Sequence, residues 1–332
     1  MSEINVNSID KESGSTLTLG GSGTTLNVSN MVSDVSLSNR NLVINGAMKV
    51  AQRGTDVAWA SNGYLALDRF NTTNNNTAGR FSIKQTADGP SGFANCLEID
   101  VTTADTSIAA NEHMLIVYKF EGQDLQQIAK GTADAKQVTV SFYVKGNGSA
   151  TYMCELFDRD NLRLIHQQFS VTSSWNRVEL TFAADTTGAL DDDNLHSLDI
   201  QFWLHAGSDF TSGTYTANTW GSQVNANRAV GISSVYSSTS NYFRITGLQI
   251  EVGSVATPFE HESYGQTLAK CQRYYLISGA SAGLSQNATS IDFSIPFPQE
   301  MRADPTLGQQ GVARITNVST TDYAQSSTSI SS

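Results

Sequence analysis

The sequence has few charged residues, no long hydrophobic run and no export signal. Charged side chains make up 15% of the 332 residues and apolar ones 39%, and the charged share lies below the usual quarter. Serine, threonine, asparagine and glycine fill the gap, which is typical of β-rich proteins with many turns and polar, uncharged faces. No window approaches the roughly 18 apolar residues of a membrane span, and Met1–Val6 lacks the basic start of a signal peptide. We therefore expect neither membrane insertion nor signal-directed secretion.

Basic residues are scarcer than acidic ones. Lysine and arginine total 20 against 31 aspartates and glutamates, which gives a formal net charge of −11. Binding to nucleic acid through phosphate neutralisation requires a surface rich in lysine and arginine. The charge therefore argues against a nucleic-acid partner, and it disfavours polyanions and anionic lipid for the same reason. Neutral sugars or another protein match this sequence better.

Cysteine is also rare. Cys96, Cys154 and Cys271 are an odd number of residues without close spacing. The sequence thus predicts neither a disulfide framework nor a cysteine metal site, and we expect all three to be buried free thiols.

Catalytic signatures are missing as well. The five histidines show no His-Glu-x-x-His spacing, and neither a Gly-x-Ser-x-Gly elbow nor a Gly-x-x-x-x-Gly-Lys loop occurs. A glycosidase needs two carboxylates that face each other across roughly 5–10 Å, and nothing in the sequence singles out such a pair. The sequence therefore predicts no catalytic residue and no cofactor, and we expect the protein not to be an enzyme.

What the sequence does contain is a succession of short strand patterns. In Val138–Val144, for example, apolar side chains alternate so that they share one face. Period-two patterning with one apolar face is what a two-sheet sandwich requires, so the sequence predicts an all-β fold. The predicted strands are Arg80–Gln85, Cys96–Val101, His113–Phe120, Gln137–Lys145, Thr151–Phe157, Arg163–Val171, Asn176–Phe182, Ser197–His205 and Asn241–Val252.

Two short helices and a turn interrupt the strand patterns. Glu121–Gly131 carries apolar residues on one helical face and ends in a glycine stop signal, and Tyr264–Cys271 has a helix-like pattern after a proline turn. Asp158–Asn161 stands between two strand patterns and predicts a hairpin turn.

Residues 1–40 differ from the rest of the chain. Two short alternating strands flank a glycine-rich turn, and their apolar residues are Leu17, Leu19, Leu26 and Val28. Such strands alone bury too little apolar surface to offset the entropy of ordering them. We interpret this stretch as an extended assembly or attachment segment that pairs with its own copies in a homotrimer, or with a partner. A flexible leader is the alternative.

A set of short motifs runs through the chain. In chain order they are Asn-Leu-Val-Ile-Asn-Gly at 41–46, Asp-Arg-Phe at 68–70, Glu-Gly-x-Asp-Leu at 121–125, Ser-Trp-x-Arg-Val at 174–178, Gln-x-Glu-x-Gly at 249–253, Ala-Thr-Pro-Phe-Glu at 256–260, Cys-Gln-Arg-Tyr-Tyr at 271–275 and Met-Arg-x-x-Pro-Thr at 301–306. This succession resembles the carbohydrate-binding-module-like jelly rolls of bacteriophage tail fibres and related virion proteins. The resemblance covers roughly residues 41–320 and does not extend to the first 40.

The resemblance implies a fold and a setting. It predicts a jelly-roll β-sandwich over 41–262, then a short helical strap and a small C-terminal β-module over 263–332. In this module the sequence pattern itself predicts strands at 274–278, 290–296 and 307–318. It also implies localisation in a virion that is assembled in the host cytoplasm, which fits the missing signal peptide because lysis releases such particles. The implied partners are other copies of the chain, other phage structural proteins and host-surface polysaccharide.

The segment Ala206–Ser240 holds the best binding candidates. Phe210, Tyr215, Trp220 and Tyr236 stand there among small polar residues, between two strong strand patterns. Aromatic faces stack on sugar rings while amides bond hydroxyl groups, and a loop this long is usually functional or ordered by a neighbour. We interpret the four residues as contacts to a glycan or a partner. Packing beneath the loop or at a subunit interface is the alternative.

Candidate metal ligands are few. Asp191–Asn194 offers oxygen ligands that suit Ca²⁺, but it lacks the alternating spacing of a loop that wraps an ion, so a solvated turn is the simpler interpretation. The resemblance implies a structural Ca²⁺ near the first and last strands, where Asp68 and Glu251 lie.

Together these observations predict a non-enzymatic phage virion protein. The favoured form is a homotrimeric tail fibre or appendage that contacts host-surface glycans or other virion proteins. One alternative is a purely structural capsid decoration, head fibre or tail protein without glycan binding, and another is a polysaccharide depolymerase.

Overall fold

The computed structural model describes residues 39–278, 283–285, 291–293, 296–306, 313–316 and 322–325, with side chains at 39–278 and 296–306. The predicted assembly segment, with Leu17, Leu19, Leu26 and Val28, lies outside the described residues, and its role stays a prediction. Within the described part of the chain, no helix has both the length and the apolar character needed to cross a membrane.

Two antiparallel sheets form a jelly-roll β-sandwich, as the sequence predicts. Its elements are β1 (Asp56–Ala58), β2 (Gly63–Tyr64), β3 (Phe70–Asn75), β4 (Arg80–Thr86), β5 (Cys96–Thr103), β6 (His113–Glu121), β7 (Val138–Gly146), β8 (Ala150–Asp158), β9 (Arg163–Val171), β10 (Asn176–Phe182), β11 (His196–Ala206), the one-turn helix α1 (Ser208–Thr211), β12 (Gly221–Ser222) and β13 (Tyr242–Val252). The six-stranded sheet has the order β1-β4-β5-β13-β7-β10, and the seven-stranded sheet has the order β12-β9-β8-β11-β6-β3-β2.

The core lies between the two sheets. Burial along β3 alternates residue by residue from Phe70 to Asn75, because successive side chains of a strand point to opposite faces. Aromatic rings from both sheets meet edge to face, as where the Phe142 and Phe202 ring centroids lie 5.2 Å apart. Apolar burial of this kind contributes about 25 cal/mol for each Å² removed from water, so these inward faces stabilise the sandwich.

The three cysteines are buried free thiols, as predicted. Burial raises the pKa of Cys96 and of Cys271 to about 12, and it raises the pKa of Cys154 further. Since the thiolate is the reactive form, these side chains act as small apolar core residues.

All strands predicted between residues 80 and 252 are present, and the predicted hairpin turn lies between β8 and β9. The helix predicted for Glu121–Gly131 is wrong in type. Two short 3-10 helices, Gly122–Asp124 and Gln126–Ile128, occupy this segment. Ala129 has a left-handed backbone with φ 52°, which ends the helical segment before the predicted glycine stop.

The motif at 41–46 is a turn that holds the chain against β13. Asn45 has φ 66°. Its Oδ1 accepts a hydrogen bond from Val50 N, and its Nδ2 donates to the carbonyl of Asp68. Leu248 N donates to the carbonyl of Gly46, and a Cβ on Gly46 would lie 2.1 Å from the Leu248 carbonyl oxygen. Only glycine therefore fits at position 46.

A helix, α2 (Tyr264–Gln272), is present where the sequence predicts a helical segment, Tyr264–Cys271. Ser263 and Gln266 form a reciprocal capping box at its start. The strand predicted for 274–278 is wrong, because Tyr274 N and Tyr275 N donate to the Cys271 carbonyl and close the last helical turn. Beyond it the described strands form two hairpins, β14 (Gly283–Ser285) with β15 (Ile291–Phe293) and β16 (Ala313–Thr316) with β17 (Asp322–Gln325).

Candidate functional site

A groove of about 260 Å³ lies on the outer face of the seven-stranded sheet. Strands β3, β6 and β11 form its floor, and the long connection from β11 to β13 closes one side. Its lining residues are Asn71, Thr73, His113, Leu115, Val117, Lys119, Arg159, Gln201, Trp203, Phe210, Gln223, Asn225 and Arg228.

The floor is made of side chains that point away from the sandwich core. Strand register places Thr73, Leu115 and Trp203 in one row across β3, β6 and β11. A neighbouring row consists of Asn71, Val117 and Gln201. Because residues two apart on a strand share a face, both rows lie under the groove. The floor is therefore partly apolar and aromatic and partly amide-bearing, and Trp203 and Gln201 are almost fully covered within it.

Arg228 fixes the wall that the long connection forms. Its guanidinium lies 4.8 Å from the Trp203 ring centroid and donates to Gln201 Oε1 at 3.0 Å. It also forms an ion pair with Glu155 of β8, whose side chain is fully buried. Phe210 of α1 packs beside this pair, with its ring centroid 5.2 Å from that of Trp203. The wall is thus held by a desolvated charge pair and an aromatic contact.

Three polar side chains along β3 and β6 have no partner among the residues that the structure describes. Asn71, Thr73 and Lys119 line the groove and are half-buried. None of their side chains makes a hydrogen bond or an ion pair with a residue that the structure describes. An amide, a hydroxyl and an ammonium group supply both donors and acceptors, so this side of the groove presents unused hydrogen-bonding capacity to a ligand.

The described lining of the groove contains cations and no carboxylate. Lys119, Arg159 and Arg228 are the charged lining residues. Arg159 is held by Asp199, with Nη2 2.6 Å from Oδ2. Burial alone would raise the pKa of Asp199, but hydrogen bonding from His196 and the Arg159 charge hold it below its usual range. Asp199 therefore stays ionised and keeps its contacts with Arg159 and His196.

His113 contributes an aromatic surface at one end of the groove. Its ring centroid lies 4.9 Å from that of Phe210 and 6.0 Å from that of Trp203. Nε2 is 3.0 Å from Asn75 Nδ2, and Nδ1 is enclosed without a partner among the described residues. Burial lowers the pKa of His113, so the ring is neutral at pH 7.

Of the four aromatic residues predicted to contact a ligand, Phe210 lines the groove. Tyr215 lies on the same face but outside the lining. Its ring stacks on His166 with centroids 5.5 Å apart, and its hydroxyl accepts a hydrogen bond from Gln168 N. Tyr215 therefore anchors the long connection to β9.

The other two predicted aromatics pack elsewhere. Trp220 is half-buried, and its Nε1–H donates to the Ala183 carbonyl at 2.8 Å. Tyr236 is fully buried, and its hydroxyl donates to Asn74 Oδ1 at 2.8 Å inside the sandwich. Tyr236 has no surface to offer a glycan in this structure, so the packing alternative describes it better than the predicted contact role.

Asn71, Thr73, Lys119 and Trp203 were not among the residues that the sequence singles out. One signal was available. The segment Met114–Tyr118 of β6 is an unbroken apolar run, whereas a strand with one solvated face alternates. An unbroken run indicates a second covered layer on the outer face, which is where the groove and its wall lie.

The two weak calcium candidates are engaged by protein groups. Asp68 accepts hydrogen bonds from Gln52 and lies 3.5 Å from Arg53 Nη1. Glu251 accepts from Thr257 N at 2.8 Å and from Thr257 Oγ1 at 2.6 Å. Neither carboxylate belongs to the group of three metal-ligating side chains found within the described residues, and their Ca²⁺ role stays a prediction.

The acidic loop Asp191–Asn194 is a mostly exposed turn. Asp193 Oδ1 accepts from Leu195 N at 2.9 Å, and Asp191 N donates to Asp160 Oδ2 at 3.0 Å. This hydrogen-bonded turn agrees with the simpler interpretation of the segment.

Comparison with known proteins gives a likeness of architecture. No family model and no curated protein matches the chain. Similar solved structures include a CBM4 structure (10% identity, 55% of this chain and 87% of that one, TM-score 0.31). Another similar structure is a family 11 carbohydrate-binding module from Clostridium thermocellum in complex with a β-1,3-1,4-mixed-linked tetrasaccharide. The two chains are 15% identical, and the match covers 61% of this chain and 98% of that one, with a TM-score of 0.30. A third is the enzymatically active domain of bacteriophage CBA120 tailspike protein 4. It is 10% identical, and the match covers 64% of this chain and 21% of that one, with a TM-score of 0.34.

Proposed function

We propose that this chain is a non-enzymatic glycan-binding protein and that the groove on the seven-stranded sheet is its binding site. The observation that carries the proposal is the composition of the groove. Half-buried Phe210 and His113, above a floor in which Trp203 is almost fully covered, lie beside side chains of Asn71, Thr73 and Lys119 that have no partner among the described residues. Sugars present apolar C–H faces and many hydroxyl groups, so they match a site that combines an apolar surface with placed polar groups.

The absence of carboxylates from the lining supports binding over hydrolysis. Glycoside hydrolysis uses a pair of aspartates or glutamates that flank the scissile bond. The nearest acids on this face, Glu155 and Asp199, are tied to Arg228 and Arg159. A depolymerase would need two carboxyl groups free to exchange protons with substrate, and the described groove offers none.

The proposed setting is a phage virion, where the chain would form a homotrimeric tail fibre or similar appendage that contacts host-surface glycans or neighbouring virion proteins. The order of the motifs from 41 to 306 supports this setting. The apolar stripe of Leu17, Leu19, Leu26 and Val28 supports assembly, since each copy would contribute one stripe to a shared core.

Glycan binding is tested by calorimetric titration and array screening against host-surface polysaccharides. Asn71→Ala and Thr73→Val should each weaken binding by about 1 kcal/mol, the net value of one hydrogen bond. Ser82→Ala is the matched control, because Ser82 is a half-buried strand residue of the other sheet. If all three variants bind glycan with the affinity of the wild type, the groove is not the binding site. No binding to any envelope glycan would favour the purely structural alternative, and release of reducing sugar would favour the depolymerase.

Assembly is tested by mass photometry of the full chain. A homotrimer should give about three times the 35.7 kDa chain mass. Leu19→Asp should shift the distribution toward single chains, because a charge would enter the shared core. A wild type that stays monomeric would count against the trimer.

A further inference from the structure

A buried cluster of metal-ligating side chains lies at one end of the sandwich, apart from the groove floor. Asp105 follows β5, Glu112 directly precedes β6, and His205 stands near the end of β11. One ligand atom from each lies within 4.8 Å of the others. Their relative exposures are 6%, 4% and 0%. Three separate segments of the chain therefore place two carboxylates and an imidazole around one point.

Hydrogen bonds from outside the cluster hold these ligands in place. Asp105 Oδ2 accepts from Thr77 Oγ1 at 2.8 Å and from Ala78 N at 2.7 Å. His205 Nδ1 lies 2.8 Å from Ser234 Oγ, which leaves Nε2 directed at Glu112 Oε2 at 3.2 Å. An imidazole that ligates a metal through one nitrogen commonly bonds a protein oxygen through the other, and this bond fixes the ring.

No lysine or arginine among the described residues balances the charge of the cluster. Buried charges in proteins are paired or coordinate metals. In the described part of the chain, all the other buried carboxylates except Glu251 are paired with a basic side chain. Those in salt bridges with arginine or lysine are Asp68, Glu98, Glu121, Glu155, Asp158, Asp185 and Asp199.

Glu251 is a buried carboxylate without such a partner among the described residues, but it is a single charge outside the cluster. It accepts three hydrogen bonds, and Asp105 likewise accepts three, from Thr77 Oγ1, Ala78 N and Ser107 N. Asp105 and Glu112 are two carboxylates side by side, and the ion pair with His205 is the only one that either makes with a described residue. Even a protonated imidazole would leave one negative charge uncompensated, whereas a divalent cation balances both carboxylates.

One ligand oxygen remains open. Glu112 Oε1 accepts no hydrogen bond from a described residue, and it is not among the enclosed unpartnered atoms. This oxygen is therefore free of protein donors in the described part of the chain and available to a bound ion.

We propose that Asp105, Glu112 and His205 bind a divalent transition-metal ion of the Zn²⁺ class. Imidazole nitrogen suits Zn²⁺ and its neighbours, whereas Ca²⁺ takes oxygen ligands. Three protein ligands leave a fourth position for water, as in open tetrahedral zinc sites. The bound ion ties the end of β11 to the connection between β5 and β6 and thereby stabilises this end of the sandwich.

The test is a calorimetric titration of the full chain, first dialysed against chelator, with ZnCl₂ at pH 7, and with CaCl₂ for comparison. We expect one Zn²⁺ per chain and a rise in the thermal unfolding midpoint. Glu112→Gln and His205→Gln should each weaken Zn²⁺ binding at least about 10-fold, since loss of even an outer-shell partner typically costs 10- to 100-fold. Glu251→Gln and His166→Gln, which change a buried carboxylate and a buried histidine outside the cluster, should bind Zn²⁺ as the wild type does.

The stability of metal-free Glu112→Gln separates a metal site from a simple ion pair. Removing an uncompensated buried charge should raise the unfolding midpoint of the metal-free protein, whereas breaking a protective Glu112–His205 ion pair would lower it. X-ray absorption at the zinc edge of the loaded wild type needs no variant and should show one imidazole ligand. The proposal fails if the wild type binds no stoichiometric Zn²⁺, if Glu112→Gln and His205→Gln bind unchanged, or if Ca²⁺ alone saturates the site. Each of these results is independent of glycan binding.

Discussion

The guanidinium of Arg69 lies 3.5 Å from the ring centroid of Tyr274, although 205 positions separate the two residues. Arg69 is buried and also donates to the Lys119 carbonyl. The Tyr274 hydroxyl donates to Glu121 of β6, and Arg273 forms an ion pair with the same carboxylate. The Asp-Arg-Phe and Cys-Gln-Arg-Tyr-Tyr motifs are thus the two halves of one contact, which docks the end of α2 on the sandwich.

The first prediction concerns this contact. Arg69→Met and Tyr274→Leu should each lower the free energy of unfolding, and a double-mutant cycle should give a coupling energy of about 1–2 kcal/mol, as expected for a desolvated cation–π pair. Denaturant unfolding of the four proteins measures it. The control is Arg177→Met on β10. Its change in the free energy of unfolding should add to that of Tyr274→Leu without a coupling energy. A coupling near zero for Arg69 and Tyr274 would mean that the stacking contributes nothing to stability.

The fold was predictable because strand periodicity is local. Apolar alternation along Val138–Val144 identifies an inward face without knowledge of the partner strand. The groove was not predictable in this way. Asn71 and Lys119 meet only because the register of β3 with β6 places them on one face, and Trp203 joins them through the pairing of β11 with β6. A sequence pattern does not contain those registers.

Tyr236 is another residue whose position the sequence pattern does not predict. It stands in a polar segment, which favours an exposed aromatic residue, yet the chain folds it between the sheets. A Cβ on Gly79 would lie 2.4 Å from the Tyr236 ring, so the missing side chain at position 79 makes the space that the ring fills. Such complementarity between residues far apart in sequence is set by tertiary packing.

The second prediction concerns Lys130, whose side chain is 3% exposed between Asp158 and Asp185. Lys130→Met should lower the free energy of unfolding by about 3–5 kcal/mol, because buried Asp158 would lose its cation and Asp185 would keep only Arg163. Chemical denaturation at pH 7 measures the change. Lys136→Met, at an exposed lysine nearby in sequence, should cost less than about 0.5 kcal/mol. Equal effects in the two variants would contradict the role assigned to the buried ammonium.

The third prediction is a pH dependence at His166. Burial lowers the pKa of His166, the Glu155 charge opposes this shift, and both ring nitrogens are enclosed without partners among the described residues. The unfolded chain therefore takes up a proton at a higher pH than the native chain, so stability falls as pH drops below the unfolded value of about 6.5. His166→Phe removes this proton. Between pH 8 and pH 5 the free energy of unfolding should fall less in this variant than in the wild type. The difference between the two slopes should be up to about 1.4 kcal/mol per pH unit. Parallel pH profiles would show that His166 titrates alike in both states.

The fourth prediction separates core from groove among the aromatic residues. Tyr236→Phe removes the hydrogen bond to Asn74 Oδ1 and leaves a buried acceptor with one partner fewer, so the free energy of unfolding should fall by about 1–2 kcal/mol. Glycan affinity should stay unchanged, because the ring is fully buried.

Phe210→Ala should lower glycan affinity and leave the core between the sheets intact. It removes part of the groove wall beside Trp203, so affinity should fall while the core between the sheets keeps its packing. Titration and denaturation of both variants provide the four measurements. A loss of affinity in Tyr236→Phe that exceeds the loss in Phe210→Ala would move the binding site away from the groove and toward the end of the sandwich.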